Sequence, residues 1–130
     1  ILRIPVHPDL LYLGFLAEDD KFDGLAGAAA LVMPSFYESL SMVTLEAWAM
    51  GRPVLANAQC EVLKGQCQRS NGGLFYETYA EFKEALGLLL ADVRLREALG
   101  ANGRRYFEAH YTWDTIESKY LAILNSLRGT

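Results

Sequence analysis

The sequence has no excess of basic residues. Its 12 lysines and arginines stand against 16 aspartates and glutamates, which gives a net charge of −4 at pH 7. Domains that bind nucleic acids usually carry a basic patch or stripe, so this balance argues against a nucleic-acid partner. No basic run of the kind that binds anionic lipid occurs either.

Cysteine and long apolar runs are also scarce. Cys60 and Cys67 are the two cysteines, too far apart for a CxxC pair and too few for a disulfide scaffold, so we interpret both as reduced thiols. The longest apolar stretch, residues 25–33, is too short to span a bilayer. The chain has no secretory signal, and it begins with Ile1 rather than Met, which suggests a fragment of a longer protein.

What the sequence does have is an alternation of strand and helix patterns. Apolar runs at residues 10–15, 31–33, 54–56 and 73–76 predict four strands. Helices are predicted between them, at residues 21–30, 42–50 and 61–64, and Gly51 is placed to end the second one in a left-handed conformation. Short apolar strands alternating with helices are typical of an α/β fold with a Rossmann-like parallel sheet covered on both faces.

The C-terminal part of the chain is predicted to be helical. Residues 79–91 and 93–109 each carry apolar side chains at helical spacing, and Thr112 is a good N-cap for a last helix. With 130 residues, the chain is expected to form a single domain.

The loop after the 31–33 strand is the most informative segment. Ligands of open parallel sheets bind beyond the carboxyl ends of the strands, and this loop, Pro34-Ser35-Phe36-Tyr37-Glu38-Ser39-Leu40-Ser41, follows such an end. It leads into a helix whose free N–H groups form a natural anion site. Ser41 is expected to cap that helix and to leave room for a phosphate.

Glu46 is the exception on a helix that is otherwise apolar nearly all round. A carboxylate buried without a partner is costly, so Glu46 needs a donor, and ligand hydroxyls at the cleft would serve. The alternative is that Glu46 lies on a narrow solvent-facing stripe or complements the helix dipole. The residues alone leave both interpretations open.

The segment from Pro34 to Val54 resembles the E-x7-E region of the retaining group 1 glycosyltransferases, a family that includes sucrose, glycogen and lipopolysaccharide or capsule sugar transferases. The two glutamates are Glu38 and Glu46, with Pro34-Ser35 before them and Gly51-Arg52-Pro53-Val54 after them. Leu13-Gly14-Phe15, Gly72-Gly73-Leu74 and Tyr111-Thr112-Trp113 support the likeness, which runs from about residue 11 to residue 113.

The resemblance implies a role for each motif residue. Glu38 would contact hydroxyls of the transferred sugar as the catalytic residue, Glu46 would bind the ribose, and Leu16 would lie beside the base. The donor-binding set would also include Ser39, Leu40, Ser41, Met42 and Val43, and the backbone amides of residues 40–43 would hold the diphosphate. The donor would be a nucleotide diphosphate sugar, with no metal or other cofactor, and the acidic run at residues 18–20 is interpreted as a charged helix start.

Two departures from the family pattern stand out. Family members usually carry glycine where this chain has Ser41. In addition, the residues before Leu11 offer no counterpart of two β-α units that supply an Arg and a Lys to the diphosphate in the family, and we expect the acceptor-binding N-terminal domain to be missing from this chain as well. We therefore expect a partial C-terminal donor-binding domain of a GT-B enzyme, catalytically inert alone and prone to self-association. The parent enzyme would be cytoplasmic or peripheral to the inner face of the membrane, and its acceptor would be a sugar, glycan or lipid-linked sugar.

Three other functions are alternatives to a glycosyltransferase. A non-catalytic scaffold derived from such a domain is the chief alternative, and retention of both glutamates argues against it. A receiver domain would need an acidic cluster at the end of the first strand and a lysine after a late strand, which are lacking. A sugar-nucleotide epimerase of related fold remains a further alternative.

Overall fold

A computed structural model describes residues 3–129, which form three parallel strands and six helices. The strands are β1 (Leu31–Met33), β2 (Val54–Asn57) and β3 (Gly73–Tyr76), and they lie side by side in the order β1-β2-β3. The helices are α1 (Glu18–Gly27), α2 (Met42–Ala49), α3 (Glu61–Ser70), α4 (Tyr79–Ala91), α5 (Val93–His110) and α6 (Trp113–Arg128).

Helices cover both faces of the sheet, as the sequence predicts. Successive strand residues point to opposite faces, so Met33, Val54 and Ala56 join one apolar cluster with side chains of α1, α2 and α3. Leu55 belongs to the other cluster, which it shares with Leu89 of α4 and Leu99 of α5. The α/β, Rossmann-like prediction with a helical C-terminus is confirmed.

The predicted first strand is wrong. Residues 11–15 adopt no strand, and the only pairing nearby is an isolated antiparallel bridge between His7 and Leu10. A strand is stabilised by a hydrogen-bonded neighbour, and nothing in the described part of the chain pairs with this segment. Its side chains remain exposed, with Leu11 at 83% and Phe15 at 102% of full exposure. The sheet therefore has three strands rather than four.

Most of the remaining boundaries agree with the sequence to within a few residues. Gly51 has a φ of 69°, the left-handed conformation predicted for the end of α2, and the Thr112 hydroxyl caps α6 by accepting from the Thr115 N–H. The first helix begins three residues earlier than the predicted range of 21–30, and the acidic run of residues 18–20, interpreted as a charged helix start, forms its first turn. The third helix is longer than predicted: α3 continues to Ser70 and ends at Asn71, whose φ is 48°.

Trp48 anchors α2 between the sheet and α5. Its side chain is fully buried, and its indole N–H donates to the Gly72 carbonyl at 2.9 Å. A β-carbon at Gly103 would come within 2.1 Å of the Trp48 ring, so only glycine lets α5 approach this closely. The result is a rigid position for α2, the helix that follows the candidate site.

Candidate functional site

The carboxyl ends of the three strands lie at one edge of the sheet because all of the strands are parallel. The loop of residues 34–41 starts at this edge, where β1 ends, and runs to the first turn of α2. Its middle is open to solvent: Tyr37 is 94% exposed and Phe36 57% exposed. Its last residue, Ser41, is buried. The loop is therefore a surface feature whose end is built into the core.

Ser41 adopts a left-handed backbone conformation, with φ 64° and ψ 82°. This region is sterically easy for glycine and strained for other L-residues. The geometry supplies a physical reason for the glycine expected here from the family resemblance. The left-handed residue turns the chain sharply from the loop into α2.

The prediction that the Ser41 side chain caps α2 is wrong. Its hydroxyl lies 2.9 Å from the Thr44 hydroxyl instead, in a buried bond between two side chains, and no side-chain hydrogen bond caps the helix. The hydroxyl reaches Thr44 because the left-handed backbone does not place the side chain as an extended N-cap would.

The N-terminus of α2 consequently keeps free donors. The first bond into the helix runs from the Leu45 N–H to the Ser41 carbonyl at 3.4 Å. The N–H groups of Met42, Val43 and Thr44 have no acceptor among residues 3–129. Free amides at the positive end of a helix dipole attract anions.

Glu38 lies in the loop three residues before Ser41 and is half-buried. Within residues 3–129, no lysine, arginine or histidine lies within ion-pair distance of its carboxylate. The side chain is thus available to a ligand that approaches the loop, which fits the role implied for it by the family resemblance.

Glu46 does have a protein partner. The Lys21 ammonium of α1 donates to its Oε1 at 2.9 Å, and the Glu46 side chain retains 20% of its exposure. Lys21 on the neighbouring helix therefore supplies the donor that the sequence analysis requires for this carboxylate, and the contact between Glu46 and a ligand stays a prediction. Sequence reasoning missed Lys21 because the contact joins residues 25 positions apart in sequence.

Two amides from elsewhere in the chain hold the ends of the loop, and sequence reasoning did not identify either of them. The Asn57 side chain, at the end of β2, donates to the Pro34 carbonyl at 3.2 Å. The Gln66 side chain, on α3, donates to the Leu40 carbonyl at 2.6 Å. Both are buried, at 4% and 1% exposure. A signal for Gln66 was present, since it is the polar residue next to Leu63 and Cys67 on the apolar face of α3.

With this geometry in place, comparison with known proteins identifies the family. A sequence profile of the family described as "Glycosyl transferases group 1" matches residues 2–92 of the chain. The chain belongs to this glycosyltransferase family. The match includes the loop, α2 and Gln66.

Individual relatives agree with this assignment. The chain is 31% identical over 113 residues to an MMP alpha-(1->4)-mannosyltransferase of Mycolicibacterium hassiacum, covering 83% of this chain and 27% of the relative. It is 30% identical to a GDP-mannose-dependent monoacylated alpha-(1-6)-phosphatidylinositol monomannoside mannosyltransferase of Corynebacterium glutamicum, covering 96% of this chain and 35% of the relative. The chain therefore spans roughly a third of such relatives or less.

The fold of this group 1 domain agrees with a solved glycosyltransferase structure. Sucrose-phosphate synthase from Thermosynechococcus elongatus superposes with a TM-score of 0.72 at 29% sequence identity. The match covers 82% of this chain and 27% of that enzyme. The three-stranded sheet and its helices thus match part of a larger transferase.

Leu16, the residue expected beside the base, lies in the irregular segment before α1 and is half-buried. The segment leads directly into Glu18, the first residue of α1. Through α1 it is connected to Lys21, the partner of Glu46. Residues 16–21 therefore connect Leu16, the residue expected beside the base, to the lysine that contacts Glu46, the residue expected to bind the ribose.

A largely apolar cavity of about 570 Å³ lies between α1, α2 and the junction of α5 with α6. Glu46 lines it, whereas Glu38 and Ser41 do not. Most of its walls are apolar side chains, including Phe22, Leu45, Phe107, Trp113 and Ile116. Such walls do not suit a charged ligand, and the cavity is an apolar surface next to the N-terminus of α2.

The described residues add three facts about metals, thiols and membranes. No group of three or more His, Cys, Asp or Glu side chains is arranged to hold a metal within residues 3–129. Cys60 and Cys67 are both free and buried, and burial raises the pKa of the Cys67 thiol to about 12. None of the helices in this part of the chain is long and apolar enough to cross a membrane.

Proposed function

We propose that this chain is the donor-binding domain of a retaining glycosyltransferase that transfers a sugar from a nucleotide diphosphate sugar to a glycan, lipid or other acceptor. The observation that carries the proposal is the open N-terminus of α2 at the carboxyl edge of a parallel sheet, preceded by the unpaired carboxylate of Glu38. This combination offers donors for an anion and an acceptor for hydroxyls in adjacent positions.

The free amides are suited to the leaving group. When the bond from the sugar to the diphosphate breaks, negative charge grows on the diphosphate oxygens. The N–H groups of Met42 and Val43 are fixed by α2 and need no reorganisation to meet that charge. In our proposal the amides of Ser39, Leu40 and Ser41 contribute to the same cradle, and the protein supplies this stabilisation without a metal.

The two glutamates are proposed to hold the sugars at either side of the diphosphate. Glu38 accepts hydrogen bonds from hydroxyls of the transferred sugar, and an ionised carboxylate makes such bonds stronger than a neutral acceptor does. Glu46 accepts from the ribose, with Leu16 beside the base. Since Lys21 occupies Glu46 without a ligand, we propose that ribose hydroxyls join or replace the ammonium when the donor binds.

The test uses the intact protein that carries this chain. Calorimetry with a panel of nucleotide diphosphates and their sugars identifies the donor, and turnover is then measured with and without a chelator. We expect unchanged activity with chelator and a sharp loss of turnover in Glu38→Ala, with Glu97→Ala as the control, because Glu97 is exposed on α5. Full activity in Glu38→Ala would remove the basis of the assignment.

Glu46 is tested separately because its proposed role is binding rather than turnover. Losing a charged hydrogen-bond partner in Glu46→Ala is expected to weaken nucleotide binding by about 1.5–3 kcal/mol. Repeating Glu46→Ala in a Lys21→Met background tests whether the loss of nucleotide affinity depends on the ion pair with Lys21. Unchanged nucleotide affinity in Glu46→Ala would contradict the ribose contact.

The isolated chain is proposed to be inert and to self-associate. Transfer needs an acceptor held against the anomeric carbon, and that orientation is proposed to come from the rest of the enzyme. The exposed apolar side chains of residues 10–15 and the free edge of β1 favour association between copies. Light scattering and a transfer assay on the isolated chain check both points, and robust transfer by a monomer would contradict them.

We propose that the parent enzyme is located in the cytoplasm, and at the inner face of the membrane if its acceptor is lipid-linked.

A further inference from the structure

Gln66 is a deeply buried polar side chain that contacts the end of the loop. It is 1% exposed and lies on α3, among Leu63, Cys67 and Ser70. Its amide nitrogen donates to the Leu40 carbonyl, 26 residues earlier in the chain, at 2.6 Å. Its other polar atom, the oxygen Oε1, is buried and has no hydrogen-bond partner among the described residues.

A buried amide with an unpaired oxygen lowers the stability of the fold. A buried acceptor without a donor destabilises a protein by about 1–3 kcal/mol, more than a single neutral hydrogen bond usually returns. Methionine, of similar length, would fill the same space without an unsatisfied oxygen. The benefit of glutamine must therefore come from the one bond it makes, to the carbonyl of Leu40.

That bond fixes the orientation of a peptide group. The Leu40 carbonyl and the Ser41 N–H belong to the same planar trans peptide, so they point in opposite directions. Because Gln66 holds the carbonyl toward α3, the Ser41 N–H points away from α3. If the peptide were turned over, the N–H would face the interior and be lost to any ligand at the loop.

The backbone at this point needs such support. Ser41 has a φ of 64°, a strained value for serine, and a strained peptide persists only where its surroundings determine it. The Ser41–Thr44 hydroxyl pair fixes one side of this residue, and Gln66 fixes the peptide on the other side.

We propose that Gln66 is a positioning residue for the donor diphosphate: by holding the Leu40 carbonyl, it orients the Ser41 N–H toward the bound phosphate. The inference rests on the proposed function and names a determinant of the same site. Gln66 itself does not touch the donor. Its effect is confined to the diphosphate, since Glu46 and Leu16 belong to other parts of the site.

The experiment compares Gln66→Met with Gln68→Met in the intact protein. Gln68 lies on the same helix and is exposed, which makes it the matched control. For the nucleoside diphosphate that binds the wild type, we expect Gln66→Met to raise the Kd about tenfold, the effect of losing one well-placed hydrogen bond. The Kd of the corresponding nucleoside should be unchanged, and the melting temperature should be equal or higher. Gln68→Met should change none of these quantities.

A second measurement uses only the wild-type protein and inorganic pyrophosphate. The Ser41 amide resonance is expected to shift on titration, whereas the amide of Gln68 should not. An unmoved Ser41 resonance under saturating pyrophosphate, or equal loss of nucleoside and diphosphate affinity in Gln66→Met, would overturn the inference. Absence of any nucleotide binding by the wild type would instead contradict the proposed function, so the two failures are distinguishable.

Discussion

Helices α2 and α4 both begin at the carboxyl edge of the sheet, but only α4 has its first N–H groups capped by side chains. Helix α4 follows β3 and is closed: the Thr78 hydroxyl accepts from the Glu81 N–H at 3.2 Å, and the Glu81 carboxylate accepts from the Thr78 N–H at 3.3 Å. Helix α2 follows β1 and is open, since its N-cap residue, Ser41, turns its hydroxyl to Thr44. Thr78 has an extended backbone, whereas Ser41 is left-handed.

The capped start of α4 stabilises its helix, whereas the uncapped start of α2 leaves its N–H groups available to a ligand. A capping box satisfies the first amides with side chains and makes the helix independent of any ligand. The open start leaves Met42, Val43 and Thr44 to find acceptors in solvent or in an anion. Both starts lie at the edge where ligands of parallel sheets bind, so position alone does not decide their use.

The largest effect is expected from Ser41→Val. A β-branched residue in a left-handed conformation is a strong outlier, and the variant also loses the bond to Thr44. We expect a loss of about 2–4 kcal/mol in the free energy of unfolding, measured with urea. Thr78→Val is the control, because its φ of −113° and ψ of 162° suit valine. Equal losses in both variants would contradict the distinction between the two helix starts.

The next effect concerns the closed start. Thr78→Ala removes the cap of α4 and is expected to destabilise the fold by about 1 kcal/mol. Nucleotide affinity in the intact protein should not change, because Thr78 is proposed to serve only the helix. Thermal unfolding and calorimetry check the two halves of this expectation. Weaker nucleotide binding by Thr78→Ala would show that the start of α4 also contributes to the binding site, and the proposed difference between the two helix starts would be wrong.

A smaller effect isolates the strain at Ser41. Ser41→Ala and Ser41→Gly both lose the hydroxyl bond to Thr44, but only glycine relieves the left-handed backbone. We therefore expect the glycine variant to be the more stable of the two by about 0.5–1 kcal/mol, after its greater unfolded-state freedom is counted. If alanine proves equally stable, the left-handed conformation is not a source of strain in this protein.

The smallest effect is expected for the ion pair between Lys21 and Glu46. Their side chains keep 36% and 20% of their exposure, so solvent screens the attraction. A double-mutant cycle with Lys21→Met and Glu46→Gln should give a coupling below about 1 kcal/mol that declines as salt is added. A coupling of several kcal/mol would show that the pair is structural and that Glu46 is not free to exchange partners.

Local patterns were sufficient for most of the helices and for three strands. Gly51 predicted the end of α2, and Thr112 predicted the start of α6, because both signals act within one turn of the helix. Residues 10–15 show where this reasoning fails: the segment has a strand-like apolar pattern, but strand formation depends on a partner that the pattern does not contain.

The candidate site could be proposed from its motif, but its contacts could not be predicted. Glu38 and Glu46 are recognisable only together with Pro34-Ser35 before them and Gly51-Arg52-Pro53-Val54 after them, and the left-handed backbone of Ser41 was not predicted. Lys21 and Gln66 reach the site from helices α1 and α3, across 25 and 26 residues of sequence. Such contacts are set by how the helices pack, and a single sequence carries no direct record of that packing.

The placement of the two tryptophans gives the protein a pair of built-in optical reporters. Trp48 is 0% exposed and hydrogen-bonded to Gly72, whereas Trp113 is 80% exposed on the wall of the apolar cavity. Emission from Trp48 therefore follows the docking of α5 on α2, and emission from Trp113 follows the polarity of the cavity. Single-tryptophan variants with phenylalanine at the other position would let unfolding and cavity occupancy be recorded as separate spectroscopic signals from unlabelled protein.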